Sequence, residues 1–90
     1  MKKQILNLPP DGLTSVPAED RPRIRLGLLT AAGKTYRDLA NITGQSATYM
    51  GQIINDERTG YKFRPVIARV LGYPVVALWP DTPPQYREAA

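Results

Sequence analysis

The chain of 90 residues carries 12 lysine and arginine residues against 8 acidic residues, a formal net charge of +4, and contains neither cysteine nor histidine. The lack of cysteine excludes disulfides, thiol catalysis and thiolate metal sites, and the lack of histidine removes the commonest general base and neutral metal ligand. A chain of this length forms one small domain with little room for a deep active site, and its basic balance favours a polyanion as partner.

No apolar run approaches the roughly 20 residues that a membrane span needs, and the N-terminal apolar stretch is too short for a signal peptide. No membrane partner is therefore expected. The expected location is the cytoplasm, meaning the cytoplasm or nucleoid of a bacterial host.

The predicted elements begin with a flexible, irregular N-terminal arm, residues 1–18, in which three prolines and a glycine interrupt any regular period. The first helix is predicted over about residues 21–32. Asp20 is its expected N-cap residue and Gly33 the residue that ends it.

The second predicted helix begins at Thr35, where Thr35 and Asp38 have the spacing of a capping box, and it ends at Gly44. The third begins after Ser46, a favoured N-cap residue. Its apolar residues recur at helical spacing and form a stripe: Tyr49, Met50, Ile53 and Ile54.

A polar loop, residues 56–64, precedes a fourth helix that starts at Pro65 and is closed by Gly72. A short fifth helix opens at Pro74, and the prolines from Pro80 onward prevent its continuation. We expect an all-α domain of four to five helices over residues 19–82, followed by a loose tail over residues 83–90.

Residues 35–55 carry the spacing of a helix-turn-helix. The two helices cross sharply, which requires a small residue at the contact, and Ala40 supplies it. Gly44, four residues later, tolerates the left-handed conformation of the turn, and Met50 and Ile53 are placed to pack back on the preceding helix. This pattern predicts a DNA-binding unit.

The stretches LANITGQSATYMGQI and IARVLGYPVVALWPD resemble the lambda-type repressor and Cro superfamily, and the ending Leu78-Trp79-Pro80 is similar to the Ner-type phage regulators. The resemblance implies a compact lambda-repressor-like fold and a phage or prophage repressor that binds double-stranded DNA. It departs from the family at Thr43 and Gln45, where apolar residues are usual, and Ile42 is expected to take over the burial.

The implied geometry places the third helix in the major groove of DNA. Helical periodicity then turns outward five of its residues: Ala47, Thr48, Gly51, Gln52 and Asn55. Gln52 can bond adenine through its amide, and Thr48 and Ala47 can touch a base edge or a thymine methyl group, so these three are the predicted base contacts. Solvation alone is the alternative for Thr48 and Gln52, and Tyr49 is either core or a DNA contact.

Backbone contacts are predicted around this helix. The resemblance assigns Tyr36 and Asn55 to phosphates, and Ser46 at the helix start either contacts a phosphate or only caps. The flanking basic residues, each of which could instead be solvated, are expected to neutralise phosphates: Lys34, Arg37, Arg58, Lys62 and Arg64.

An enzyme is not expected. Gly33-Lys34-Thr35 resembles the end of a P-loop, but no glycine stands at the required spacing before it, and the neighbours Asp56 and Glu57 make a poor acid and base pair. No cofactor, metal or small-molecule ligand is expected. The alternative is a protein-interaction module, an antitoxin or corepressor subunit, that uses an exposed face of Trp79, although core packing of Trp79 is favoured. The sequence pattern is compatible with two copies of the chain binding DNA as a homodimer and with one copy binding alone.

Overall fold

The computed structural model describes Leu8 and residues 11–87, and this part of the chain is built of helices without a strand. The α-helices are α1 (Arg21–Ala31), α2 (Tyr36–Thr43), α3 (Ala47–Ile54), α4 (Arg64–Leu71) and α5 (Val75–Leu78). Short 3₁₀ helices cover Gly12–Ser15, Ala18–Asp20 and Pro84–Tyr86. The all-α prediction is therefore confirmed for the described residues, among which no helix has both the length and the apolar character to cross a membrane.

Local sequence signals set the ends of α2 and α3. The Thr35 hydroxyl accepts a hydrogen bond from the Asp38 amide at 3.2 Å, and the Asp38 carboxylate accepts one from the Thr35 amide at 2.8 Å. Gly44 ends α2 with φ 76°, and the Ser46 hydroxyl accepts from the Tyr49 amide at 3.0 Å. The predicted capping box, left-handed glycine and N-cap are thus confirmed.

Asp20 does not cap α1 with its side chain. The 3₁₀ helix Ala18–Asp20 runs directly into α1, which leaves Asp20 in a helical conformation, whereas a capping residue is normally extended. Its carboxylate instead approaches the guanidinium of Arg23 at 3.5 Å. The predicted cap is therefore wrong in its mechanism, although α1 begins where expected.

The core lies where α1, α3, α4 and α5 meet, and α2 packs on α3. Its wholly or almost wholly buried side chains come from every α-helix and include Leu28, Leu29, Leu39, Met50, Ile53, Ile54, Ile67, Leu71, Leu78 and Trp79. This apolar cluster fixes the orientation of α3, because the side chains of its residues Met50, Ile53 and Ile54 are completely enclosed.

The predicted arm is wrong for residues 11–18. Leu13 is completely buried in the core, and the 3₁₀ helix Gly12–Ser15 packs against α5. A Cβ atom on Gly12 would lie 2.5 Å from the Cα atom of Ala77, so glycine permits this close approach. Burial of the Leu13 side chain therefore orders this segment despite the glycine and proline residues around it. Of the rest of the predicted arm, residues 1–7, 9 and 10 lie outside the described residues.

The predicted loose tail is wrong for residues 83–87. The ring of Tyr86 stacks on that of Tyr61 with 5.5 Å between centroids, and Arg87 Nε donates to the Thr82 carbonyl at 2.7 Å. The stacking fixes the segment on the loop between α3 and α4, and the hydrogen bond ties it to the buried Thr82 that precedes it. The remaining tail residues, 88–90, lie outside the described part.

Candidate nucleic-acid interface

An open groove of about 450 Å³ runs beside the exposed side of α3. Two of the predicted base-reading residues, Thr48 and Gln52, line it, and Thr48 is exposed. Its other lining residues come from the turn before α3, from α3 itself and from the loop after it: Gln45, Ser46, Tyr49, Arg58 and Phe63. Ala47, the third predicted base contact, is half-buried at the first position of α3 and does not line the groove.

Two aromatic rings form an apolar part of this groove, and a cation lies over each. Tyr49 and Phe63 meet edge to face, with centroids 5.9 Å apart and planes at 86°. The guanidinium of Arg58 lies 5.7 Å from the Tyr49 centroid, and the amine of Lys62 lies 5.9 Å from that of Phe63. Tyr49 is therefore half-buried against Phe63 while still lining the groove. The predicted cations Arg58 and Lys62 lie over the rings of Tyr49 and Phe63.

Gly51 serves the packing of α2 on α3. It is buried, and a Cβ atom there would lie 3.1 Å from Cε2 of Tyr36. The prediction that Gly51 faces outward is wrong, because the Tyr36 ring covers it. Tyr36 is consequently half-buried at the start of α2, with one part of its side chain left exposed.

The turn between α2 and α3 accommodates a polar residue. The Thr43 hydroxyl donates to the Leu39 carbonyl at 2.8 Å and accepts from the Gln45 amide at 3.3 Å. Because the hydroxyl both donates and accepts a hydrogen bond, Thr43 can be half-buried at this turn although it is polar. Ile42, expected to take over the burial, is 52% exposed, so that expectation is wrong.

The remaining predicted backbone contacts are exposed. Lys34 and Arg37 lie at the start of α2, and Asn55 is the residue at which α3 ends. Arg58 and Lys62 in the loop after α3 are exposed as well, so exposed cations precede and follow the α2–α3 pair along the chain. The Ser46 hydroxyl accepts a hydrogen bond from the Tyr49 amide, so Ser46 caps α3 as predicted. A phosphate contact by this hydroxyl would be a second interaction besides the cap.

Arg64 does not lie on this surface. Its side chain is 3% exposed, and its Nε donates to the Thr59 carbonyl at 2.7 Å. Its Nη1 donates to the Thr82 hydroxyl at 3.0 Å and to Asp81 at 3.2 Å. The prediction of a phosphate contact at Arg64 is therefore wrong, because its donors are already engaged inside the protein.

A second buried arginine, Arg25, is absent from the sequence-based prediction. It is 1% exposed, and its Nε donates to the Leu78 carbonyl at 2.7 Å. Its Nη1 donates to the Ile54 carbonyl and to the Asp56 carboxylate, both at 2.9 Å. Burial lowers the pKa of the Arg25 guanidinium, and the carboxylate of Asp56 opposes that shift. The available signal was its spacing of three and four residues from Leu28 and Leu29, which places it on the buried face of α1.

Trp79 lies within reach of both buried arginines. Its ring centroid is 4.8 Å from the guanidinium carbon of Arg25 and 5.6 Å from that of Arg64. The side chain is 0% exposed, which confirms core packing and removes the exposed Trp79 face on which the protein-interaction alternative relied. Its Nε1 is buried and has no hydrogen-bond partner among the described residues.

Comparisons of the chain with protein-family models, curated proteins and solved structures give no match. Within the described ranges, no group of three or more His, Cys, Asp or Glu side chains is arranged to hold a metal ion.

Proposed function

We propose that this protein binds double-stranded DNA as a lambda-repressor-like helix-turn-helix regulator, with α2 and α3 as the motif and α3 in the major groove. The observation that carries the proposal is the surface around α3. Thr48 and Gln52 lie in one open groove, and exposed cations stand at both ends of the α2–α3 pair. A polar reading face between positive charges is the arrangement that DNA recognition requires.

In this proposal the contacts divide into two groups. Gln52 and Thr48 read base edges in the groove, because an amide offers the paired donor and acceptor that adenine presents and a hydroxyl serves either role. Ala47, half-buried beside them, can offer only its methyl group to a thymine. Phosphates are contacted by six exposed side chains, four of them cationic, and by the half-buried Tyr36; the six are Lys34, Arg37, Arg58, Lys62, Ser46 and Asn55.

A regulator of this kind acts by occupying its site. A bound domain that covers a promoter blocks polymerase without any chemical step. We therefore propose repression, as in a phage or prophage repressor acting in a bacterial cytoplasm.

The direct test is selection of bound duplexes from a random pool, followed by titration of the best duplex over a range of salt. We expect a defined motif and a log–log salt slope of magnitude about 3 to 4 per protein copy, since each neutralised phosphate contributes about 0.9. A motif repeated with two-fold symmetry at about 34 Å would show that two copies bind. A pool without enrichment, or binding that does not respond to salt, contradicts the proposal.

A further inference from the structure

The end of α3 is fastened to the protein interior by Arg25 of α1. The Arg25 Nη1 atom donates to the last carbonyl of α3, that of Ile54, and to the carboxylate of Asp56 two residues later. Asp56 has φ 63°, a left-handed conformation that no other non-glycine residue in the described part of the chain adopts. Aspartate is among the few residues with a Cβ atom that accept this conformation, and here it directly follows the end of α3, where the Glu57 amide donates to the Gln52 carbonyl. The bond from Arg25 adds a tertiary contact to this local helix ending.

The same loop carries Arg58 to the groove. The backbone amides of Glu57 and Arg58 both donate to the carbonyl of Gln52, at 2.8 and 3.2 Å. The Arg58 guanidinium then lies over the ring of Tyr49. The loop is thus held at two points, by the interior through Asp56 and by α3 through the Gln52 carbonyl. Between these points its path is short and defined.

We infer that the Arg25–Asp56 ion pair is a positioning device that sets Arg58 for its contact with a DNA phosphate. This inference rests on the proposed function. Arg25 is buried and touches no DNA, and Asp56 is a negative charge beside a surface that would meet a polyanion. A carboxylate there repels phosphates unless holding the loop compensates for the repulsion.

The two effects of Asp56 have opposite signs, which makes the inference testable. If Asp56 acts only through its charge, removing it tightens DNA binding. If Asp56 positions Arg58, removing it weakens binding. Asparagine and glycine both accept the left-handed conformation, and asparagine alone keeps an acceptor for Arg25.

The first experiment therefore compares wild type, Asp56→Asn and Asp56→Gly on one selected duplex, at a temperature where circular dichroism shows all three folded. We expect affinity to fall about 2- to 3-fold for Asp56→Asn and on the order of 10-fold for Asp56→Gly. Glu57→Gln is the matched control, because Glu57 forms no ion pair within residues 11–87. That variant should bind as tightly as wild type or slightly more tightly.

The second experiment repeats the Asp56→Gly change in an Arg58→Ala background. The positioning role predicts that the loss shrinks to under about 2-fold, because the side chain being positioned is gone. A purely structural role leaves the loss unchanged. If Asp56→Gly is unfolded at the lowest assay temperature, Asp56→Asn takes its place in this cycle, and its loss of about 2- to 3-fold should then disappear in the Arg58→Ala background.

The outcomes separate the inference from the function. An Asp56 series that binds as tightly as wild type or more tightly, or a loss that persists in full without Arg58, overturns the positioning role. In that case salt-dependent binding by wild type, with a smaller slope for Arg58→Ala, still supports DNA recognition. A wild type that does not bind duplex DNA overturns both.

Discussion

Arginine serves two opposite purposes in this molecule. Around Trp79, Arg25 and Arg64 are buried, and their guanidinium groups donate to carbonyls, a hydroxyl and carboxylates, most of them in distant segments. Around α3, Arg37 and Arg58 are exposed, and their charges are accessible to a ligand. The difference shows that the five cations flanking the predicted motif are not equivalent: one of them, Arg64, belongs to the interior, and the other four are exposed.

The energetic logic of the two regions also differs. A buried guanidinium loses its hydration and is tolerated only when its donors are satisfied, so its removal leaves buried acceptors without partners. An exposed guanidinium makes little contribution to folding and retains its charge for an ionic partner. The buried pair should therefore control stability, and the exposed cations should control binding.

The largest effect is expected at Arg25. Arg25→Met removes donors to two buried carbonyls and to Asp56, and should lower the free energy of unfolding by about 3 kcal/mol. This value is at the low end of the range for broken buried pairs, because the Asp56 side chain is 39% exposed and stays hydrated. Urea denaturation measures the change. Arg23→Met on the same helix is the control: Arg23 is 80% exposed and should alter stability by less than about 0.5 kcal/mol. If Arg25→Met and Arg23→Met lowered the free energy of unfolding equally, the buried arginine would contribute no more to stability than the exposed one.

Arg64 gives the second test, because the sequence predicted a phosphate contact for it and the structure places it in the interior. Arg64→Met should lower the free energy of unfolding by about 2 kcal/mol, through loss of its hydrogen bonds to Thr59 and Thr82. At a temperature where the variant is folded, its salt slope on duplex DNA should equal that of wild type. A slope reduced in magnitude by about 1 would show that Arg64 does contact a phosphate.

Gln52 tests the reading face between the exposed cations. Gln52→Ala should weaken binding to the selected duplex by about 1–2 kcal/mol, and should weaken binding to random DNA far less, because a base contact carries the sequence preference. Stability should be unchanged. The measurement uses every single-base variant of the selected site, with Gln85→Ala, an exposed glutamine in the segment after α5, as control. Uniform weakening on all duplexes would make Gln52 a backbone contact.

Among these substitutions, the smallest effect on affinity for the selected duplex is expected at Arg37. Arg37→Ala should reduce the magnitude of the salt slope by about 1, preserve the base preference and change stability by less than about 0.5 kcal/mol. Salt titrations on selected and random duplexes measure both properties. An unchanged slope would show that Arg37 is solvated rather than paired with a phosphate.

Much of the candidate site was predictable because it depends on neighbours in the chain. The capping box of Thr35 and Asp38, the left-handed Gly44 and the N-cap Ser46 each involve residues within a few positions of one another. Helical period likewise placed Met50 and Ile53 in the core and Thr48 on the surface. It failed for Gly51, because the residue that covers it, Tyr36, comes from another helix.

By itself, then, the sequence determined the α-helices, the caps of α2 and α3 and the polar residues that α3 exposes, since these follow from periodicity and from hydrogen bonds within one turn. Only the tertiary structure decided which charges are free. Arg25 bonds to Leu78, 53 positions away, and Arg64 to Thr82, 18 positions away. Leu13 is in turn held in the core that α5 helps to build. No local pattern encodes such partners, because a buried charge or an anchoring leucine is defined by surfaces that come together only when the whole chain has folded.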